Sequence, residues 1–149
     1  MVRVAGIQKV TEILLDEEID EQEFVEIIND VYKQDCYIYA IIPDWEKDLL
    51  NQLSDDFILI NKVKFPLMRI FPRTTGFVGF VKDSKKQYIY EFYLRSTTMD
   101  FLIFSELDIS QHLNNINKNN IDMYKIFEIN NVPHITIGPD GQGLNIIEY

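Results

Sequence analysis

The sequence predicts an α+β fold, in which residues 1–149 form a single domain with a mostly antiparallel sheet of about five to seven strands and about two to four helices. A length of 149 residues suits one domain. The composition, 46% hydrophobic and 26% charged, is that of an ordinary globular protein. Helical patterns come first and strand patterns follow, without the regular alternation of parallel βαβ units, so we expect the N-terminal helices to pack on the sheet.

The clearest helix pattern runs from Asp20 to Lys33. Asp20 is a suitable N-cap, and Glu23 stands three residues later, as in a capping box. Apolar residues recur here at helical spacing and predict one buried stripe. The preceding segment, Ile7–Leu15, also has helical spacing, although Val4–Val10 fits an extended strand as well.

A second helix is predicted over Trp45–Leu53. Pro43 ends the strand before it, and Asp44 is in position to cap its first turn. This helix would place Trp45, Leu49, Leu50 and Leu53 on one apolar side.

Strand patterns are short, apolar and rich in β-branched or aromatic residues. The predicted strands are Cys36–Ile42, Phe57–Val63, Leu67–Phe71, Phe77–Lys82, Gln87–Arg95, Met99–Phe104, His134–Gly138 and Leu144–Glu148. The continuous apolar run Cys36–Ile42 indicates a buried central strand. Prolines on both sides of Leu67–Phe71 indicate an edge strand.

Hairpins are predicted where strands flank a short polar or glycine-rich loop. Phe77–Lys82 and Gln87–Arg95 form the first, and the last two strands form another across Gly138–Gly143. Between them, Asp108–Asn114 fits a short helix and the asparagine-rich stretch up to Asn120 a loop. Asp122–Ile129 fits a helix giving way to a strand.

The charge and the cysteine content limit the partners and the compartment. The 24 acidic residues outnumber the 14 Lys and Arg residues, which gives a net charge of −10. Such a field repels phosphate backbones, so we expect no direct nucleic-acid binding but a protein partner with a basic surface. Cys36 is the only cysteine, and we see neither a signal peptide nor a run of about 18 apolar residues. These features predict a cytoplasmic protein without a membrane anchor.

Two acidic sets are the candidate partner-binding residues. The first precedes and begins the first helix, and the second surrounds the predicted second helix. They are Asp16, Glu17, Glu18, Asp20, Glu21 and Glu23, and then Asp44, Asp48, Asp55 and Asp56; Glu46 also belongs to the second acidic set in sequence. The first set lacks the glycine and glutamate spacing of an EF-hand, so we predict no metal site there. The open alternative for the first set is an ordinary solvated helix start.

Other motifs match phosphate-binding or catalytic patterns only in part. Gly138–Gly143 has the glycine spacing of a phosphate-binding P-loop, but Leu144 and Asn145 replace its lysine and hydroxyl residue. Pro133–Ile137 resembles one half of the signature of the two-histidine phosphoesterases, which implies an imidazole acid or base at His134 and a phosphate-binding hydroxyl at Thr136. The second half is missing. The other histidine, His112, is not followed two residues later by a hydroxyl residue, and its segment fits a helix. Cys36 fits a buried structural thiol.

Three functional hypotheses follow. The leading one is a small acidic inhibitor or immunity-type protein that occludes a basic partner such as a nuclease toxin. The second is a DNA mimic or regulator of a nucleic-acid-binding protein. The third, less favoured because no convergent catalytic set is visible, is a small hydrolase or phosphoesterase-like enzyme using His134, Thr136 and Asp140, with Arg73 or Arg95 binding the anion. No cofactor is expected, and the oligomeric state is left open.

Overall fold

The computed structural model describes residues 9–33, 35–67, 71–95, 102–108, 133–138 and 143–149. Within these ranges the chain forms seven strands and three α-helices. The strands are β1 (Lys9–Ile13), β2 (Cys36–Pro43), β3 (Phe57–Leu67), β4 (Phe71–Asp83), β5 (Leu102–Ser105), β6 (His134–Ile137) and β7 (Leu144–Glu148). The helices are α1 (Glu21–Val31), α2 (Lys47–Leu53) and α3 (Ile89–Leu94), and short 3₁₀ turns at Asp44–Glu46 and Ser54–Asp56 flank α2.

All seven strands belong to one sheet, in the order β1-β7-β6-β5-β2-β4-β3. Every neighbouring pair is antiparallel, which confirms the α+β class and the antiparallel sheet. β2 pairs with β4 on one side and with β5 on the other, so Cys36–Ile42 is the central strand that its apolar run predicts.

The three helices pack on one face of this sheet. Alternate residues of β2, among them Cys36, Ile38 and Ile42, point into the same buried cluster as apolar side chains of all three helices. The helical members with the least exposure are Phe24 and Ile28 of α1, Leu49 and Leu53 of α2, and Ile89 and Phe92 of α3. The predicted packing of helices on the sheet is thus confirmed. Tyr39 and Ile41 lie on the opposite face and are also buried.

Helix α1 begins as its sequence predicts. The Asp20 carboxylate accepts a hydrogen bond from the backbone N–H of Glu23 at 2.8 Å, and Asp20 itself has extended backbone angles. Glu21 and Glu23 lie in the first turn, where the helix dipole favours negative charge. The Phe24 ring stacks on Tyr93 of α3 with 4.6 Å between ring centroids.

The helical interpretation of Ile7–Leu15 is wrong for its described part. Lys9–Ile13 is strand β1, which lies at one end of the sheet and pairs only with β7 among the described strands. Thr11 pairs with Ile146 and Ile13 with Leu144. The apolar spacing of so short a segment fits both a helix and a strand. Pairing with the edge of β7 selects the strand. Residues 1–8 lie outside the described ranges.

Two details of the second helix are also wrong. Asp44 does not cap it, because a 3₁₀ turn stands between Pro43 and α2, and no side chain caps that turn. Trp45 does not join the apolar side, since 48% of its surface is exposed. The inward positions belong to Glu46, Leu49 and Leu53, and Glu46 occupies its place because Arg95 binds its carboxylate there.

The predicted edge strand Leu67–Phe71 is wrong at its two described ends, which belong to two different strands. β3 runs from Phe57 to Leu67, four residues beyond the predicted end, and Leu67 already pairs with Phe71 at the start of β4. The β2–β4 pairing stops at Gly76, so the far end of the β3–β4 pair extends past the central strand. Prolines are tolerated there because fewer ladder hydrogen bonds are required. Residues 68–70 are outside the described ranges.

The segment Gln87–Arg95 is a helix and not the second arm of a hairpin. The first arm, Phe77–Lys82, is correct and lies within β4. After it, the buried Asp83 carboxylate accepts hydrogen bonds from three consecutive backbone N–H groups, those of Gln87 (2.8 Å), Tyr88 (2.9 Å) and Ile89 (3.0 Å). Tyr88 is the N-cap of α3 and Ile89 its first residue, and the N–H groups at these positions are left unpaired by the helix itself, so Asp83 fixes the beginning of α3.

The C-terminal half is described in part. β5 overlaps the predicted strand Met99–Phe104, and the last two strands pair as predicted, with the Gly138 N–H bound to the Gly143 carbonyl at 3.0 Å. Gly143 has a φ of +74°, which glycine adopts without strain. The predictions for 109–132, including most of Asp108–Asn114 and all of Asp122–Ile129, fall outside the described residues. Across the described residues no helix has the length and apolar character needed to cross a membrane.

Cys36 provides the first testable prediction. Its thiol is fully buried, and desolvation, followed by the nearby Asp83 carboxylate, raises its pKa to about 12. Because the thiolate is the reactive species, we expect iodoacetamide to modify native Cys36 at least about 100-fold more slowly than Cys36 in urea-unfolded protein at the same mildly alkaline pH. Mass spectrometry of timed samples measures both rates, and equal rates would contradict the buried, structural role.

Candidate functional site

The first acidic set is exposed at the entrance of α1. All six of its side chains, from Asp16 to Glu23, face the surface, while Ile19 between them points into the core with 7% exposure. Asp16 accepts a hydrogen bond from the Glu18 backbone N–H (3.2 Å), and Asp20 caps α1. Asp16 and Asp20 therefore fix the local backbone through hydrogen bonds, and all six acidic side chains are exposed.

The second acidic set surrounds α2. Asp48, Asp55 and Asp56 are exposed, and Asp44 is half-buried. Asp48 lies in the first turn of α2, whereas Asp55 and Asp56 belong to the 3₁₀ turn that follows the helix. The sequence alone cannot place this set relative to the first one.

Helix α3 joins the two sets. The Tyr90 hydroxyl donates a hydrogen bond to the Ile19 carbonyl inside the first set (2.6 Å). The Tyr88 hydroxyl donates one to the Asp56 carboxylate in the second set (2.5 Å), and this bond raises the pKa of Tyr88. Each of the two acidic segments is therefore hydrogen-bonded to α3 or to its N-cap residue Tyr88.

Arg95, just after α3, gathers three carboxylates. Its guanidinium binds Glu46 (2.5 Å), Asp48 (2.8 Å) and Glu91 (2.8 Å). Burial alone would lower the pKa of Arg95, but the hydrogen bonds to these carboxylates outweigh it and raise the pKa. The bond to Arg95 in turn lowers the pKa of the Asp48 carboxyl. One cation thus holds three anions and leaves a surplus of negative charge.

The surplus accounts for the whole formal charge of the protein. Residues 16–23, 44–56 and 88–95 contain twelve Asp and Glu residues and only two cations, Lys47 and Arg95. Their net charge of −10 equals that of the full chain, so the remaining sequence is balanced. We call the exposed side chains of these three segments the α3 surface.

Sequence reasoning placed Glu46 in the second acidic set but did not connect Glu91 and Arg95 with it. If Gln87–Arg95 were a strand, Glu91 and Arg95 could meet only through a neighbouring strand. In a helix they are four residues apart and bind each other directly. The i, i+4 spacing of opposite charges was the signal that could have identified both the helix and the pair.

The residues of the enzyme hypothesis are not assembled among the described residues. Ile135 and Ile137 point to the helical face, so His134 and Thr136 point to the other face of β6. His134 is buried, with 5% exposure, while Arg95 lies with α3 on the helical side. Asp140 and the side chain of Arg73 are outside the described part. A buried His134 separated from Arg95 by the sheet counts against a catalytic site here.

No metal cluster is found within the described ranges, where no group of three or more His, Cys, Asp or Glu side chains is arranged to hold an ion. Comparisons with protein-family models, with curated proteins and with solved structures find no match for this chain. The functional argument therefore depends on the charge distribution and on the geometry around α3.

Proposed function

We propose that this chain is an acidic binding protein of the inhibitor or immunity type, which occludes a basic site on a protein partner in the cytoplasm. The observation that carries the proposal is that the whole net charge of −10 belongs to the three segments around α3. The DNA-mimic alternative has the same electrostatic basis, and it is the case in which the occluded site of the partner binds nucleic acid.

The physical advantage of such a surface is fast and selective encounter. Carboxylates gathered on one side create a directed field, which steers a cationic partner and raises the association rate, most strongly at low ionic strength. Ten charges spread evenly would mainly keep the protein soluble. Around α3, Phe24 stacks on Tyr93 and Arg95 binds both Glu46 and Asp48, so the segments that carry the charges are packed together before binding. This arrangement lowers the ordering cost of association.

A selection experiment tests the proposal and does not require the natural partner to be identified. We expect short random peptides displayed on phage and selected on the immobilised protein at low salt to be enriched in Lys and Arg. Reversing three exposed charges of the α3 surface, Glu18→Lys, Glu21→Lys and Asp55→Lys together, should weaken the binding of the synthetic selected peptides at least about tenfold. Isothermal titration calorimetry at several salt concentrations gives the affinities.

The matched control reverses three exposed acids elsewhere, Glu12, Glu106 and Glu148, and so changes the net charge equally. It should weaken binding much less than the α3-surface variant. Selected peptides without an excess of basic residues, or equal losses in the two variants, would contradict the proposal. Once a protein partner is known, competition with duplex DNA tests the DNA-mimic alternative. Duplex DNA displaces this chain from the partner only if the partner uses the same site for DNA and for this chain.

A further inference from the structure

Trp45 is the only tryptophan of the chain and belongs to the α3 surface, with 48% of its area exposed. It occupies the middle of the 3₁₀ turn Asp44–Glu46, with Asp44 before it and Asp48 three residues after it. Large aromatic side chains are usually covered in a folded domain, and tryptophan is enriched at the centres of protein interfaces.

The fold itself holds Trp45 outward. Glu46 takes the inward position because Arg95 binds its carboxylate, and Leu49 and Leu53 continue the buried stripe. Arg95 also binds Asp48, and Leu94, directly before it, is 53% exposed. Two exposed apolar side chains are therefore next in sequence to ion-paired residues. Trp45 precedes Glu46, and Leu94 precedes Arg95.

We propose that Trp45 receives an arginine side chain of the basic partner, stacked on the indole face. This inference rests on the proposed function and specifies its partner. A guanidinium is planar, weakly hydrated and able to stack on an aromatic ring while its N–H groups bind carboxylates, whereas a lysine ammonium is a strongly hydrated point charge. Residues 44–56 contain five acidic residues and one lysine, so this segment keeps an excess of negative charge that supplies the charge complementarity for such a contact.

The fluorescence of Trp45 tests the inference directly, because no other tryptophan contributes. Two synthetic peptides of equal length and charge serve as probes, one alternating Arg with Gly and Ser, the other carrying Lys in place of every Arg. We expect the Arg peptide to bind about fivefold or more tightly than the Lys peptide and to shield Trp45 from acrylamide quenching. Trp45→Ala should reduce the difference between the peptides to within about twofold.

Two further variants separate stacking from apolar contact and from loss of folding. Trp45→Phe keeps an aromatic face and should retain part of the preference for arginine, whereas Trp45→Leu should lose it. Tyr149→Ala, which removes another partly exposed aromatic residue outside the α3 surface, should leave it unchanged. Circular dichroism confirms that each variant is folded.

Each failure has a separate meaning. Equal binding of the two peptides, unchanged quenching of Trp45 at saturation, or full retention of the preference in Trp45→Leu would overturn the arginine contact. If those peptides still lose affinity on reversal of the α3-surface charges, the proposed function stands without this contact. If neither peptide binds at low salt, the inference and the proposed function both fail.

Discussion

Replacing Asp83 by alanine should lower the free energy of unfolding by about 3 kcal/mol. Asp83 is 1% exposed, and its carboxylate accepts hydrogen bonds from the backbone N–H groups of Gln87, Tyr88 and Ile89, so the change leaves the start of α3 without this acceptor. Hydrogen bonds to charged groups contribute about 1.5–3 kcal/mol each, and the three losses are not additive because they share one carboxylate. Urea unfolding followed by circular dichroism measures the effect.

Two comparisons make the Asp83 result specific. Asp83→Asn keeps one oxygen acceptor and should lose clearly less stability than the alanine variant. Asp20→Ala removes an exposed cap with one backbone hydrogen bond, at Glu23, and should cost about 1 kcal/mol. If Asp83→Ala costs no more than Asp20→Ala, Asp83 does not fix α3 in the way described.

Replacing Arg95 by alanine should also cost about 3 kcal/mol, the low end for breaking a buried ion pair. Its loss leaves Glu46 inside the protein without that cation, and the Glu46 side chain is only 11% exposed. The low end applies because 22% of the Arg95 side chain is exposed, so solvent screens the pair in part. The measurement is again urea unfolding, at neutral pH and low salt.

The control for Arg95 is an ion pair at the surface. Lys82 and Asp35 lie 3.2 Å apart with side chains 53% and 43% exposed, and Lys82→Ala should change stability by less than about 1 kcal/mol. The double variant Arg95→Ala with Glu46→Gln should recover part of the loss, since a neutral amide then replaces the carboxylate that Arg95 binds. An Arg95→Ala protein as stable as Lys82→Ala would show that the carboxylates do not require this cation.

The sequence predicted correctly those elements whose local pattern agrees with the tertiary contacts around them. Asp20 and Glu23 stand at the start of α1, the apolar run of β2 is central, and Gly138 and Gly143 are hydrogen-bonded between the paired strands β6 and β7. In each of these elements the local sequence signal, whether apolar spacing, a helix cap or a turn, agrees with the structure formed. The antiparallel sheet and the α+β class follow from them.

The failures have non-local causes. The segment Gln87–Arg95 satisfies strand alternation and also the helical spacing of Ile89, Phe92 and Tyr93 on the buried side of α3. Hydrogen bonds that the Asp83 carboxylate accepts select the helix, and they depend on where β4 ends. Trp45 is exposed because a distant Arg95 places Glu46 inward. The adjacency of the two acidic sets could not be predicted, since it depends on the contacts of Tyr88 and Tyr90 in a helix that the pattern concealed.

The central claim is that a basic ligand binds beside α3, and amide chemical-shift mapping by NMR tests it most directly. A selected basic peptide is titrated into isotope-labelled protein at low salt. We predict that the largest shift changes fall on residues 16–23, 44–56 and 88–95 and that they fade as salt is added. Changes confined to the outer strands β1 and β3, or to the face of the sheet that carries His134, would contradict the claim.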